Sequence, residues 1–104
     1  MHPDKVNRAA VRQLTDLPNI GPAGARDLQL LGISRPQELA GRDPLALYWQ
    51  LCDLTGERHD PCVLDTLISV VRFADGAEPR PWWHYTAERK ALMANWAAQG
   101  RPPG

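Results

Sequence analysis

Long apolar runs, net charge and cysteine pairs are what this chain lacks, and each absence removes a class of function. No stretch approaches the roughly 18 consecutive apolar residues of a membrane-spanning helix. The start Met1-His2-Pro3-Asp4 has no apolar signal-peptide core, so a cytoplasmic protein with no membrane partner is expected. Twelve Lys and Arg balance twelve Asp and Glu, a formal net charge of 0, which argues against a highly basic nucleic-acid binder. Two Cys without a secretory signal read as reduced thiols rather than a disulfide framework. With 104 residues the chain reads as one domain, 1–104, able to bury roughly two thirds of its unfolded surface without staples.

Metal and catalytic chemistry are equally thin. Cys52, His59, Cys62 and His84 make a conceivable four-ligand set, but there is no Cys-x-x-Cys pair and both Cys fall on apolar helix faces, so no metal is expected. His59 and Cys62 form a weak nucleophile pair with no identifiable oxyanion donor. Only Lys5 and Lys90 could serve a lysine-based lyase, and neither sits in a Lys-Asp constellation. The chain is therefore expected to be no enzyme, with no cofactor and no small-molecule substrate.

What is present is turn and cap chemistry. The run Leu17-Pro18-Asn19-Ile20-Gly21-Pro22-Ala23-Gly24-Ala25-Arg26-Asp27-Leu28 reads as one helix ending, a four-residue turn and a second helix starting. Gly21 leaves the backbone sterically free, and Pro22 supplies a helical φ at the first helical position. That helix starts with bare amides at the positive end of its dipole, which suits an anion.

Around this turn the pattern is helical throughout. Asp4 caps a first helix whose stripe is Val6, Ala10, Leu14 and Leu17, with Lys5, Arg8 and Arg12 together on another face. Residues 1–35 carry five basic side chains against three acidic ones, a small excess around the turn. A second helix runs from Pro22 to about Leu31, with Ala23, Leu28 and Leu31 inward and Gly32 closing it. A short helical turn spans Pro36 to Ala40. Asp43-Pro44 opens a helix to about Leu54 with Leu47, Leu51 and Leu54 on one face, and Gly56 ends it. Asp60-Pro61 opens another, apolar around most of its girth with only Asp65, Ser69 and Arg72 forming a polar stripe, which marks it as the central core helix. Gly76 to Pro81 is a loop, and Thr86 caps a last helix bearing Leu92, Met93 and Trp96. Residues 4–75 would form the core, and 76–99 a Trp-rich loop and closing helix.

Ile20, Gly21, Ala25 and Leu28 resemble the hairpin of the helix-hairpin-helix family, whose pattern is apolar, x, Gly, apolar, Gly, three residues, Ala, two residues, apolar. Asn19 stands where that family often has glycine, and Asn visits the left-handed region readily. Four blocks together resemble a bacterial family of pathogenicity-locus or mitomycin-resistance-associated proteins. These are the hairpin with Leu30-Leu31-Gly32-Ile33, Asp43-Pro44 through Leu51-Cys52-Asp53-Leu54-Thr55-Gly56, His59-Asp60-Pro61-Cys62-Val63-Leu64-Asp65, and Trp82-Trp83-His84-Tyr85-Thr86. The resemblance implies an all-α, SAM-like helix-hairpin-helix bundle of about five to six helices. A degenerate second hairpin at Leu54-Thr55-Gly56-Glu57-Arg58-His59 would make it a tandem pair, placing Arg58 and His59 at a helix start.

The resemblance also implies DNA binding without sequence readout. The phosphate contacts would come from Gly21 and the amides of Ala23 and Gly24, since Pro22 has no N–H. Asn19, in the turn, is expected among the nucleic-acid-binding residues with them, and Arg26, Lys5, Arg8, Arg12 and Arg58 supply charge. Gly24 departs from members that place Lys or Arg nearby. Neutralising three phosphates with Lys5, Arg8 and Arg12 would give a salt slope of roughly −2.7. Trp82, Trp83 and Tyr85 either close the core or stack on unpaired bases. The competing reading is a protein-interaction module of the same fold.

Overall fold

The computed structural model describes residues 6–99, and every regular element among them is helical. Four α-helices, α1 (Pro22–Leu30), α2 (Pro44–Thr55), α3 (Pro61–Ala74) and α4 (Thr86–Ala98), are joined by four 3₁₀ turns at Arg8–Ala10, Leu14–Asp16, Pro36–Leu39 and Trp82–Tyr85. The Asp-Pro signals start helices as expected. Asp43 accepts from the amides of Leu45 at 3.0 Å and Ala46 at 3.3 Å, and Asp60 accepts from Cys62 at 2.8 Å. In both cases proline occupies the first helical turn, where its missing N–H costs nothing. Helix α1 ends at Gly32, whose φ of +82° lets the Ile33 amide return to the Leu28 carbonyl at 2.9 Å.

Helix α3 is the centre. Leu64, Ile68, Val70 and Val71 are fully buried, and α2, α4 and the 36–39 and 82–85 turns all pack on it. Its polar stripe is covered by protein. The carboxylate of Asp65, 0% exposed, accepts from Thr86 Oγ1 at 2.7 Å and from Arg89 Nε at 2.8 Å. One helical turn on, the Ser69 hydroxyl accepts from Asn19, and Arg72 pairs with Glu88. The stripe is therefore the seam that attaches the 82–98 segment and the turn before α1. Each buried polar group finds a partner there, which is the condition for burying it.

Several expectations need correction. The helix expected before Leu17 does not form: Arg8–Ala10 and Leu14–Asp16 are separate 3₁₀ turns, with Val11 and Gln13 extended between them. Side chains divert the backbone. Asn7 accepts from the Ala9 amide at 3.1 Å, and Asp16 accepts from the Arg12 and Gln13 amides at 3.0 and 3.1 Å, so local bonds replace helical ones. Val6, Leu14 and Leu17 are nevertheless buried, while Ala10 is exposed. The expected cap at Asp4 lies outside the described residues. Ala23 and Leu54, expected inward, are exposed, because the buried face of α1 is Ala25 and Leu28 and that of α2 centres on Tyr48, Leu51 and Cys52. Thr86 does not cap α4. It is the first residue of that helix, and its hydroxyl goes to Asp65.

Candidate nucleic-acid interface

The approach to α1 is built on Asn19. It is the one non-glycine residue with positive φ (+67°) among those described, so the left-handed step of the turn falls on Asn19 and not on a glycine. An asparagine there needs a reason beyond tolerance, and its side chain provides one. Nδ2 donates to the Ser69 hydroxyl at 3.1 Å and to the Arg80 carbonyl at 2.8 Å, fixing the turn to α3 and to the loop before Trp82. Leu17 and Ile20, flanking the turn, are buried.

Beyond the turn, Gly21 is the N-cap of α1 with φ −96° and ψ −171°, an extended conformation open to any residue. A Cβ at Gly21 would meet nothing within 4 Å, so its lack of a side chain serves no internal packing. A Cβ at Gly24 would sit 3.3 Å from Ile20 Cδ1, so that side chain would have to give by a few tenths of an ångström to admit any larger residue. Gly21, Pro22 and Ala23 are exposed, and no side chain caps α1. The contrast with α2 and α3 is electrostatic: Asp43 and Asp60 already place carboxylates on those helix starts, while α1 keeps its positive end bare. Arg26 is exposed in the second turn of α1. Helical side chains lean toward the N-terminus, which brings its charge toward the same end.

The other basic residues do not gather here. Arg8 lies in the first 3₁₀ turn and Arg12 in the stretch between the two turns, so they share no helix face; Lys5 lies outside the described residues. The Arg8 guanidinium sits 4.0 Å over the Phe73 ring and donates to the Phe73 carbonyl and, at 2.5 Å, to the Ala77 carbonyl. A cation thereby closes the negative end of α3. Arg12 is exposed and donates to the Ala9 carbonyl at 3.1 Å. Arg58 lies 5.0 Å over the Trp49 ring. The segment before α3, expected as a degenerate second hairpin, is occupied by its own groups. Asp60 caps the helix, Thr55 Oγ1 and His59 Nε2 lie 2.8 Å apart, and Tyr48 donates to the His59 carbonyl.

Cys52 is buried and Cys62 half-buried. The hydrogen bond to Asp60 and partial burial push the Cys62 thiol up from its ordinary value, which disfavours the thiolate a nucleophile would need. No cluster of three or more His, Cys, Asp or Glu suited to a metal occurs among the described residues. Trp49 is buried and stacks near Trp96, whereas Trp83 is 62% exposed. The tie from Asn19 to the Arg80 carbonyl escaped the sequence because 61 residues separate the partners.

Fold and surface define an all-helical protein in which the start of α1, left without a side-chain cap, lies beside a turn pinned to the core. The chain belongs to the Cdd1 pathogenicity-locus family, whose model matches residues 7–91. A relative from Streptomyces lavendulae described as mitomycin resistance protein McrB is 48% identical over 81 residues, which is 78% of this chain and 77% of that protein. No solved structure matches it. No helix among the described residues is long and apolar enough to cross a membrane.

Proposed function

We propose that this chain is a helix-hairpin-helix protein that binds nucleic acid, with DNA as the expected partner, through backbone phosphates and without reading sequence. The observation that carries this reading is the bare start of α1: exposed Gly21, Pro22 and Ala23, no capping side chain, and Arg26 on the following turn. The amides of Ala23 and Gly24 donate to phosphate oxygens, the open face of Gly21 admits the strand, and Arg26 adds a charge-assisted contact. Asn19 acts through the turn it shapes, its amide being engaged with Ser69 and Arg80. Exposed Arg12 and Arg58 contribute long-range attraction only. In this reading the α2–α3 pair is the degenerate partner of the hairpin, its anion site closed by Asp60.

Gly21→Val tests it. Valine can adopt φ −96° and its Cβ meets nothing within 4 Å, so the variant folds, at a cost of about 1 kcal/mol for a poorer N-cap, while its branched side chain covers the amides. Fluorescence anisotropy with a labelled duplex at low salt should show the variant at least about tenfold weaker, the worth of one charge-assisted contact. Equal affinity contradicts the assignment.

A protein-interaction module of the same fold is the second reading. What favours it is a groove of about 210 Å³ between the turn and α3, lined mainly by apolar side chains including Ile20, Leu28, Leu51, Val63 and Leu67. Absence of any nucleic-acid binding at low salt transfers the proposal to this groove.

A further inference from the structure

The turn at Trp82–Tyr85 is tied to the hairpin and leaves an aromatic face uncovered. Trp83 is 62% exposed, the largest apolar side chain so exposed among the described residues. Its ring is braced rather than loose, because Trp82 meets it edge-on with centroids 5.5 Å apart and planes at 85°. The two neighbours that follow are anchored differently. His84 is exposed, whereas Tyr85 is buried and, through Thr86 and Asp65, the turn is fastened to α3. Upstream, exposed Arg80 gives its carbonyl to Asn19 Nδ2 at 2.8 Å, so one hydrogen bond joins this segment to the residue two places before Gly21.

Chain reach bounds the separation. Three residues from Arg80 to Trp83 and two from Asn19 to Gly21, joined by that bond and extended by the Asn19 and Trp83 side chains, put the exposed indole on the order of 30 Å or less from the open start of α1. A braced π-face, a flanking guanidinium and free amides within that reach are the kinds of group that meet the bases and phosphates of a strand a few nucleotides long. Duplex DNA keeps its bases stacked on one another and offers Trp83 no base face. A strand with unpaired bases offers one at every nucleotide.

We infer that Trp83 is a stacking platform for unpaired bases, so that the phosphate site at α1 is used on single-stranded or locally opened nucleic acid. This rests on the proposed phosphate binding and names the form of nucleic acid that site takes. The indole supplies preference for the unpaired form, and the α1 amides supply contact common to both forms.

The test compares fluorescein-labelled oligothymidine with a duplex of the same length by anisotropy at low salt, using the full chain, Trp83→Ala and Trp83→Phe. The parent should prefer oligothymidine. Trp83→Ala should lose about tenfold or more of that affinity, as base–aromatic stacks do, and most of the preference over duplex; Trp83→Phe should retain both. Oligothymidine should quench the parent's tryptophan fluorescence, and Trp83→Phe should bind with that quenching reduced. Thermal melts of both variants establish that they fold, and should Trp83→Ala fail to fold, the quenching lost in Trp83→Phe decides. Duplex binding without preference for oligothymidine overturns this inference and leaves the phosphate site standing. Binding of neither overturns both. An equal loss on both nucleic acids in Trp83→Ala assigns the indole to packing and overturns the inference.

Discussion

Asn19 holds φ +67° while its Nδ2 donates to the Ser69 hydroxyl at 3.1 Å, so the most strained backbone step before α1 is anchored directly to the central helix. Conformation and side chain are separable by mutation. Asn19→Gly keeps the left-handed step and loses the two hydrogen bonds; Asn19→Ala loses the bonds and adds the cost of a Cβ at positive φ, about 1 kcal/mol more. Urea denaturation should rank parent above Asn19→Gly above Asn19→Ala. Alanine equal to glycine would mean that the backbone step carries no strain.

Asp65 and Arg89 form the buried end of the α3–α4 seam, with side-chain exposures of 0% and 16%. Removing one partner leaves the other charge without its counterpart, so Asp65→Ala should cost about 3–5 kcal/mol. The double variant Asp65→Ala, Arg89→Ala should cost less than the two single changes together, because neither charge is then stranded. Strict additivity in chemical denaturation would show the pair to be independent.

Arg8 is placed to hold the chain end of α3 and not to track a phosphate strand. Arg8→Ala should lower the stability by about 1–2 kcal/mol through the lost carbonyl contacts and ring contact. Nucleic-acid affinity at low salt should change less than it does in Arg26→Ala. A larger affinity loss at Arg8 than at Arg26 would return the interface to the N-terminal segment.

Acid stability follows from caps. Backbone hydrogen bonds hold the carboxyls of Asp16, Glu38 and Asp60 below their ordinary values, the largest single contribution at Asp60 being the Cys62 amide. A carboxylate with a depressed folded pKa stabilises fully above its unfolded value, near 3.8 for Asp60, and loses that contribution as pH falls through the folded one. Asn also caps helices, so Asp60→Asn should melt close to the parent at pH 7 and show a shallower fall of Tm between pH 5 and 3. An unchanged acid limb would remove Asp60 from the list of groups that drive it.

How much of this was legible in the sequence depends on the distance between partners. The starts of α2 and α3 were readable because Asp43-Pro44 and Asp60-Pro61 carry cap and first turn in adjacent residues. The apolar girth of α3 identified the core helix. The stretch before Leu17 was misread because Val6, Leu14 and Leu17 keep a helical spacing while Asn7 and Asp16 bend the backbone into two 3₁₀ turns. The basic face expected from Lys5, Arg8 and Arg12 depended on that helix. At the candidate site, Gly21-Pro22 and the bare amides were visible locally. The engagement of Asn19 with Ser69 and Arg80, 50 and 61 residues away, and of Asp65 with Arg89, 24 away, left no local signal.

The central claim is that the bare start of α1 receives phosphate, and a salt series on the unmodified chain tests it most directly. Anisotropy of a labelled oligonucleotide, repeated as salt rises from low to moderate concentration, should give a slope of log affinity against log salt between about −1 and −2, matching one or two phosphates neutralised. Absence of binding at the lowest salt, or an affinity indifferent to salt, would contradict the account.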